Sequence, residues 1–315
     1  MDSRNCSSKL VEFFIVGFLD FEAMQTPLLL YFLSVYILTI CGNLVLVLLI
    51  MLSPSLSTPM YFFLCNLSSL DIVYTSVTCP KLISIFTTSN GGISYVECIL
   101  QLYFFIAFGS TEYFLLTVMS YDRYVAVCKP LYYSVVMNQH VCIFVAIGSW
   151  LGGIVASIPI ASVTSTLDYC SSHLINHFFC DINALIHLAC NDTTLIHVVI
   201  FIQGVVLVLT SFTLTLISYL QILSSIMRIR TSRGKYKTFS TCGSHLTVVS
   251  LFYIMVFVLY MRPPSSMSLN QAKILTTLYV YVIPLLNPVV YSFRNESVKE
   301  ALRKKLKSLL KDKSL

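Results

Sequence analysis

Residues 27–70 read PLLLYFLSVYILTICGNLVLVLLIMLSPSLSTPMYFFLCNLSSL, and no Asp, Glu, Lys or Arg occurs between Ala23 and Leu70. A helix needs about 20 such residues to cross a ~30 Å hydrocarbon core, so this stretch holds two crossings. The run Ser53-Pro54-Ser55-Leu56-Ser57-Thr58-Pro59 supplies the turn between them. Residues 130–167, 193–227, 238–261 and 274–293 are equally free of charge, and a further crossing fits 95–127, with Glu97 at one end and Asp122-Arg123 near the other. The spacing predicts seven spans, near 28–52, 59–85, 95–127, 140–162, 195–227, 238–261 and 272–292. The expected fold class is an all-α integral membrane protein, one seven-transmembrane helix bundle over 1–315. The ten-residue units of alternating polarity that a transmembrane barrel requires do not occur.

Composition agrees: 57% of the 315 residues are apolar and 11% charged, against about a quarter charged in soluble domains. With 11 Gly, 10 Pro and no low-complexity tract, collagen-like and disordered classes are excluded. The excess of 20 Lys+Arg over 14 Asp+Glu does not point to nucleic acid, because the cations sit at span edges. An extracellular N-terminus leaves Arg123, Lys129, Arg228, Arg230, Arg233, Lys235, Lys237, Arg294, Lys299, Arg303, Lys304, Lys305, Lys307, Lys311 and Lys313 inside, fifteen of the twenty. Outside lie Arg4, Lys9, Lys81, Arg262 and Lys273, beside eight acids. The positive-inside rule therefore fixes an outer tail 1–27, an outer loop 163–194 and a cytoplasmic tail 293–315. The first 22 residues lack the apolar core of a cleaved signal peptide, so the first span is expected to serve as insertion signal. From Glu296 to Lys313, Val298, Leu302, Leu306, Leu309 and Leu310 recur at helical spacing between lysines, which predicts an amphipathic helix on the inner leaflet of the bilayer.

Cys98, Cys170, Cys180 and Cys190 face the oxidising side, where four cysteines allow three pairings. His177, Cys180, His187 and Cys190 also have metal-ligand spacing, a reading that disulfide formation would preclude. Asn5-Cys6-Ser7 and Asn191-Asp192-Thr193 are outward glycosylation sequons. Within the membrane, Asp71 and Glu112 are ionisable residues at depth and so functional candidates. Helical rise sets Glu112 about 16 Å outward of Arg123. Two carboxylates with no basic partner in a span suggest a shared proton or a sodium ion, and no other cofactor is expected.

Asp122-Arg123-Tyr124 ends the third span, and Asn287-Pro288-Val289-Val290-Tyr291 ends the seventh, where Pro288 removes a backbone bond and Asn287 can re-satisfy freed carbonyls. With seven spans and an outside N-terminus, the chain resembles a rhodopsin-like G-protein-coupled receptor. Pro59-Met60-Tyr61-Phe62-Phe63-Leu64 through Leu67-Ser68 to Asp71, then Met119-Ser120-Tyr121-Asp122-Arg123-Tyr124-Val125-Ala126-Val127-Cys128, are similar to vertebrate olfactory receptor signatures. So are Lys237-Thr238-Phe239-Ser240-Thr241-Cys242-Gly243-Ser244-His245-Leu246, Pro284-Leu285-Leu286-Asn287-Pro288 and the outer His177-Phe178-Phe179-Cys180-Asp181. Ser120 stands where Ala is usual, and Ile254-Met255 where Gly-Thr is common.

The resemblance implies pairing of Cys98 with Cys180 and of Cys170 with Cys190. It implies detection of volatile odorants, activation of a stimulatory G protein and a rise in cyclic AMP, in the ciliary plasma membrane of olfactory sensory neurons. Arg123, restrained by Asp122, would engage the G protein together with Tyr124, while Asn287, Pro288 and Tyr291 repack. The ligand cavity is expected in the outer half, lined by Leu102, Phe105, Ile106 and Gly109 on span three and by Tyr253, Val256, Phe257 and Tyr260 on span six. Ser110, Ile182, Gln203, Leu207 and Thr277 complete the candidate lining, with Tyr260 the expected polar contact. Among rival classes, a transporter would carry internal repeats and an intramembrane enzyme a His-Glu-x-x-His or Gly-x-Gly-Asp motif, and none of these is found. Gly148 and Gly152 are spaced for close helix approach, either in a homodimer or inside the bundle beside Trp150.

The charge split makes a topological prediction. Glycosidase treatment of the expressed protein increases its mobility, and Asn5→Gln reduces that shift. Staining of a C-terminal epitope on unpermeabilised cells would contradict it.

Overall fold

A computed structural model describes the backbone over residues 12–18, 24–170, 173–229, 231–260 and 269–312; within these, the side chains at 233–234, 236–241, 260, 269–270, 293–294, 306 and 308–312 lie outside the described set. Asn5 and the side chains of Tyr260, Leu306, Leu309 and Leu310 are thus outside the described residues. Seven helices are long and apolar enough to cross a membrane: Gln25–Leu52, Pro59–Thr88, Tyr95–Cys128, Gln139–Thr164, Thr194–Arg228, Cys242–Leu259 and Gln271–Ser292. The expected spans all appear, each within a few residues.

The differences lie at their ends and within the fifth and seventh. The helix containing span six runs from Ser232 to Tyr260, so most of the basic stretch expected as inner loop is helical. Charge ends an apolar count but not a helix, since backbone bonds continue into the headgroup zone. Spans five and seven each contain a π-helical turn, Gly204–Leu209 and Leu278–Val282. The second begins at Pro59, whose missing N–H costs nothing at a helix start. The third begins with a capping box in which Ser94 accepts from the Glu97 amide and Glu97 accepts from the Ser94 amide.

Span three is central and packs against the second, fourth, fifth and sixth. On span four, a side chain at Gly153 would run into Thr111 and Ala107 of span three, and one at Gly152 would press on Phe114, while Gly148 borders open space. Gly152 therefore serves packing within the bundle, where Trp150 donates its indole N–H to Asn66 at 3.1 Å.

The outer tail contributes structure the sequence does not announce. β1 (Glu12–Ile15) lies between β2 (Gly92–Ser94), antiparallel, and β3 (Leu174–Ile175), parallel. Phe13 and Ile15 point into the core while Glu12 and Phe14 face outward, the period-two pattern of a strand. Gly91 lets the backbone of Ile15 approach where any Cβ would collide with it. Lys273, counted from sequence as an outer cation, is buried and donates to the Gly17 carbonyl at 3.0 Å. Glu296–Asp312 forms the expected helix after span seven, with Val298 and Ala301 buried against the bundle.

Candidate functional site

The site has an inner latch, a polar middle and an aromatic outer compartment. At the inner end, Asp122 is fully buried and receives Arg123 Nε at 2.9 Å on Oδ2, while the Tyr133 hydroxyl donates to Oδ1 at 2.8 Å. Tyr133 comes from the short helix Tyr133–Val136 beyond Pro130. Burial, reinforced by the Asp122 charge, holds its phenol above the usual range, so it remains a donor. Tyr124 lies under Lys129 Nζ, 5.8 Å from the ring centroid. Tyr219 of span five is hydrogen-bonded to His245 Nδ1 of span six, with the two rings stacked. Tyr291 is buried, and its hydroxyl finds no partner among the described residues.

In the middle, Asn287 Nδ2 donates to Asp71 Oδ2 at 2.9 Å, and Asn43 Nδ2 reaches the Pro284 carbonyl at 3.1 Å. Pro288 sits against the bare Cα of Gly42. Glu112 is buried with Oε1 unpaired among the described residues, as are Ser68 Oγ and Asn43 Oδ1, and the Asp71 and Glu112 charges lie within electrostatic reach of each other.

Phe105, Ile106, Tyr253, Val256 and Phe257 are gathered into one apolar core, while Leu102 and Ile182 sit one layer outward with Cys98 and Cys180. Gly109 borders open space. Phe212 of span five, absent from the sequence-based lining, stands edge-on to Tyr253 and Phe257, both at 5.2 Å. Tyr113 packs edge-on to Phe252 at 4.9 Å. Ser110 is buried, Gln203 and Leu207 are half-buried beside or within the π-helical turn of span five, and Thr277 donates its hydroxyl to the Lys273 carbonyl.

The outer loop folds over this compartment. The bond between Cys98 and Cys180 ties it to span three, Gln101 Oε1 accepts from the Cys180 amide at 2.9 Å, and Phe179 meets Phe105 at 4.5 Å. With Cys180 so bonded, the four-ligand metal reading of His177, Cys180, His187 and Cys190 fails. The Cys170 amide donates to Cys190 Sγ at 3.0 Å. Asn191 is exposed.

Leu131 is a residue that the sequence reading missed, an apolar side chain 90% exposed beside the Tyr133–Asp122–Arg123 group. Its signal was available: Leu131-Tyr132 follows Lys129-Pro130, outside every span.

The seven-helix bundle, the inner latch and the lidded aromatic compartment define a membrane receptor rather than an enzyme. The sequence model described as olfactory receptor matches residues 32–309. Human olfactory receptor 1L4 is 43% identical over 96% of this chain and 98% of its own length. Gorilla olfactory receptor 1G1 is also 43% identical, over 96% and 97%. Mouse olfactory receptor 5AR1 is 42% identical, over 96% and 98%. The chain belongs to the olfactory receptor family, multi-pass odorant-sensing receptors that couple to G proteins.

His177 gives this site a pH signature. Burial, opposed by Asp181 and aided by Lys273, brings its imidazole down to about 4. A proton therefore binds the unfolded chain below about pH 6.5 but not the fold until about pH 4, so stability is full above 6.5 and falls by up to about 1.4 kcal/mol per pH unit between these values. Melting of the purified receptor between pH 7.5 and 5 should show this acid loss, and His177→Phe should flatten it. Parallel curves for the two proteins would refute the assignment.

Proposed function

We propose that the receptor binds small, mostly apolar volatile odorants among Phe105, Ile106, Gly109, Phe212, Tyr253, Val256 and Phe257, and couples to a stimulatory G protein that raises cyclic AMP. The observation that carries this reading is the pairing of an uncharged aromatic compartment beneath a disulfide-tied lid with a buried latch beside exposed Leu131. The residues proposed to line it are apolar or aromatic, which suits ligands without charge. A ligand acts through its differential affinity for two arrangements of the bundle. Arg123 turns toward the partner once Asp122 releases it, and Leu131 supplies the apolar anchor. The family resemblance supports Cys170–Cys190 pairing, glycans on Asn5 and Asn191, and residence in the ciliary plasma membrane.

Arg123→Ala should abolish odorant-evoked cyclic AMP with surface expression retained. Leu131→Asp should lower the maximal response while leaving odorant affinity unchanged, because it lies at the opposite end from the compartment. Wild-type responses from both variants would overturn the inner assignment.

The middle residues fit sodium: Asp71, Glu112 and Ser68 supply hard oxygen ligands, two of them with unpaired buried oxygens. Such an ion would neutralise the paired carboxylates. Asp71→Asn and Glu112→Gln should alter basal activity or its dependence on sodium, and variants that signal like wild type across sodium concentrations would leave a shared proton as the explanation.

Tyr260 is assigned as polar contact because it lies seven residues, about two turns, beyond Tyr253 on one helix face. Tyr260→Phe removes one hydroxyl hydrogen bond, about 0.5–1.5 kcal/mol, or roughly three- to tenfold in potency for an oxygenated agonist. A hydrocarbon agonist should be unaffected. Dose-response curves at matched surface expression test this, and unchanged potency for every oxygenated agonist removes Tyr260 from the site.

A further inference from the structure

A cleft of about 140 Å³ opens between spans five and six in the inner half of the bundle, lined on span five by Leu216, Tyr219, Leu220 and Ile226 and on span six by Cys242 and Leu246. Leu220 is 57% exposed although it lies in a membrane span, so hydrocarbon and not water covers this side. The span-five wall, Leu216 to Ile226, covers about 15 Å of helix, the depth of one leaflet. Its inner end stops two residues short of exposed Arg228. Residues 228–237 hold Arg228, Arg230, Arg233, Lys235 and Lys237, and no acid occurs anywhere between Thr193 and Asn295. An apolar slot one leaflet deep, ending two residues from exposed Arg228 in a stretch of sequence rich in cations, has the chemistry of a single lipid with a hydrocarbon chain and an anionic head.

We infer that an anionic phospholipid of the inner leaflet docks here, one acyl chain in the cleft and its phosphate against Arg228 and Lys235. The cleft is too narrow for a helix, and another protein would leave the membrane-facing leucines unmatched. The span-six wall includes the turn that carries His245, whose bond to Tyr219 draws the two spans together. A lipid bound in this arrangement favours it over one in which span six has left. The site does not depend on which odorant the receptor binds.

The test uses the full receptor in phosphatidylcholine nanodiscs carrying a trace of phosphatidylserine with a photoactivatable group on its acyl chain. Cross-links should map to 216–226 and 242–246 and exceed those from the same probe with a choline head. Arg228→Gln and Lys235→Gln should each reduce that preference by about fivefold. Leu220→Trp, or Leu216→Trp should the first fold poorly, fills the cleft and removes the cross-links, whereas Leu214→Trp, exposed on the same span but outside the lining, keeps them. Equal labelling by the serine and choline probes, or labelling that survives both cleft-filling variants, overturns the proposal.

Discussion

Hydrocarbon offers no hydrogen bonds, so every polar group inside a span must find its partner within the protein. The chain meets this constraint in two ways, and among the described residues Glu112 Oε1, Ser68 Oγ, Asn43 Oδ1 and the Tyr291 hydroxyl stand outside both. Thr39, Thr75, Thr111, Ser149 and Thr164 return their hydroxyls to carbonyls four residues back on their own helices. Such bonds are indifferent to neighbouring spans and survive any rigid movement of a helix. Asn287 to Asp71, Asn43 to Pro284, Trp150 to Asn66 and Tyr219 to His245 instead join different spans. They change partner only when helices move. Of the motif residues read from the sequence, Asp71, His245, Pro284 and Asn287 fall in this second group, whereas Asp122 and Arg123 pair on one span and the Tyr291 hydroxyl has no partner among the described residues.

The outer mouth obeys the same constraint by other means. A loop cannot leave its amides bare against an apolar compartment, so the outer segments pair as a three-stranded sheet and β1 crosses between β2 and β3. Phe18 then stacks on Phe32 and Phe178, and Phe178 contacts Tyr281, which makes the lid continuous with spans one and seven. The disulfide fixes the loop to span three at the same level.

Much of this was legible in the sequence, for identifiable reasons. Runs without charge mark spans because the cost of a bare ion in hydrocarbon dominates every local preference. The sequence shows Glu97 only as the charge at one end of span three, and the structure adds that it closes a capping box with Ser94. What stayed hidden depends on tertiary partners. Glu12-Phe13-Phe14-Ile15 carries apolar residues on both faces and becomes a strand only because β2 and β3 flank it. The π-helical turns in spans five and seven have no local signature. Phe212 was invisible as a lining residue because apolar residues occur all around span five, and only the fold says which of them meet Tyr253. Helical spacing sets Leu102, Phe105 and Ile106 on one face of span three, and the fold divides them: Phe105 packs in the bundle core, Leu102 in the layer beneath the outer loop and Ile106 against both.

The latch gains meaning from where its bonds run. Asp122 and Arg123 are neighbours on span three, so their ion pair, however short, does not by itself tie that span to the sixth. It pairs the guanidinium with a buried carboxylate on its own helix. The bonds that join different elements here are Tyr133 of the inner turn to Asp122, Tyr219 of span five to His245 of span six and Asn287 of span seven to Asp71 of span two, each worth about 0.5–1.5 kcal/mol, more where a charge takes part. Moving an equilibrium from 1:99 to 99:1 takes about 5.5 kcal/mol of differential affinity. A small apolar ligand can supply that only if the closed state is held by a few modest bonds and not by a buried interhelical salt bridge. Span six carries Tyr253 at the compartment and His245 eight residues inward, about 12 Å along one rigid helix. A shift of Tyr253 against Tyr113 and Phe212 would therefore reach the Tyr219–His245 bond along span six without passing through loops.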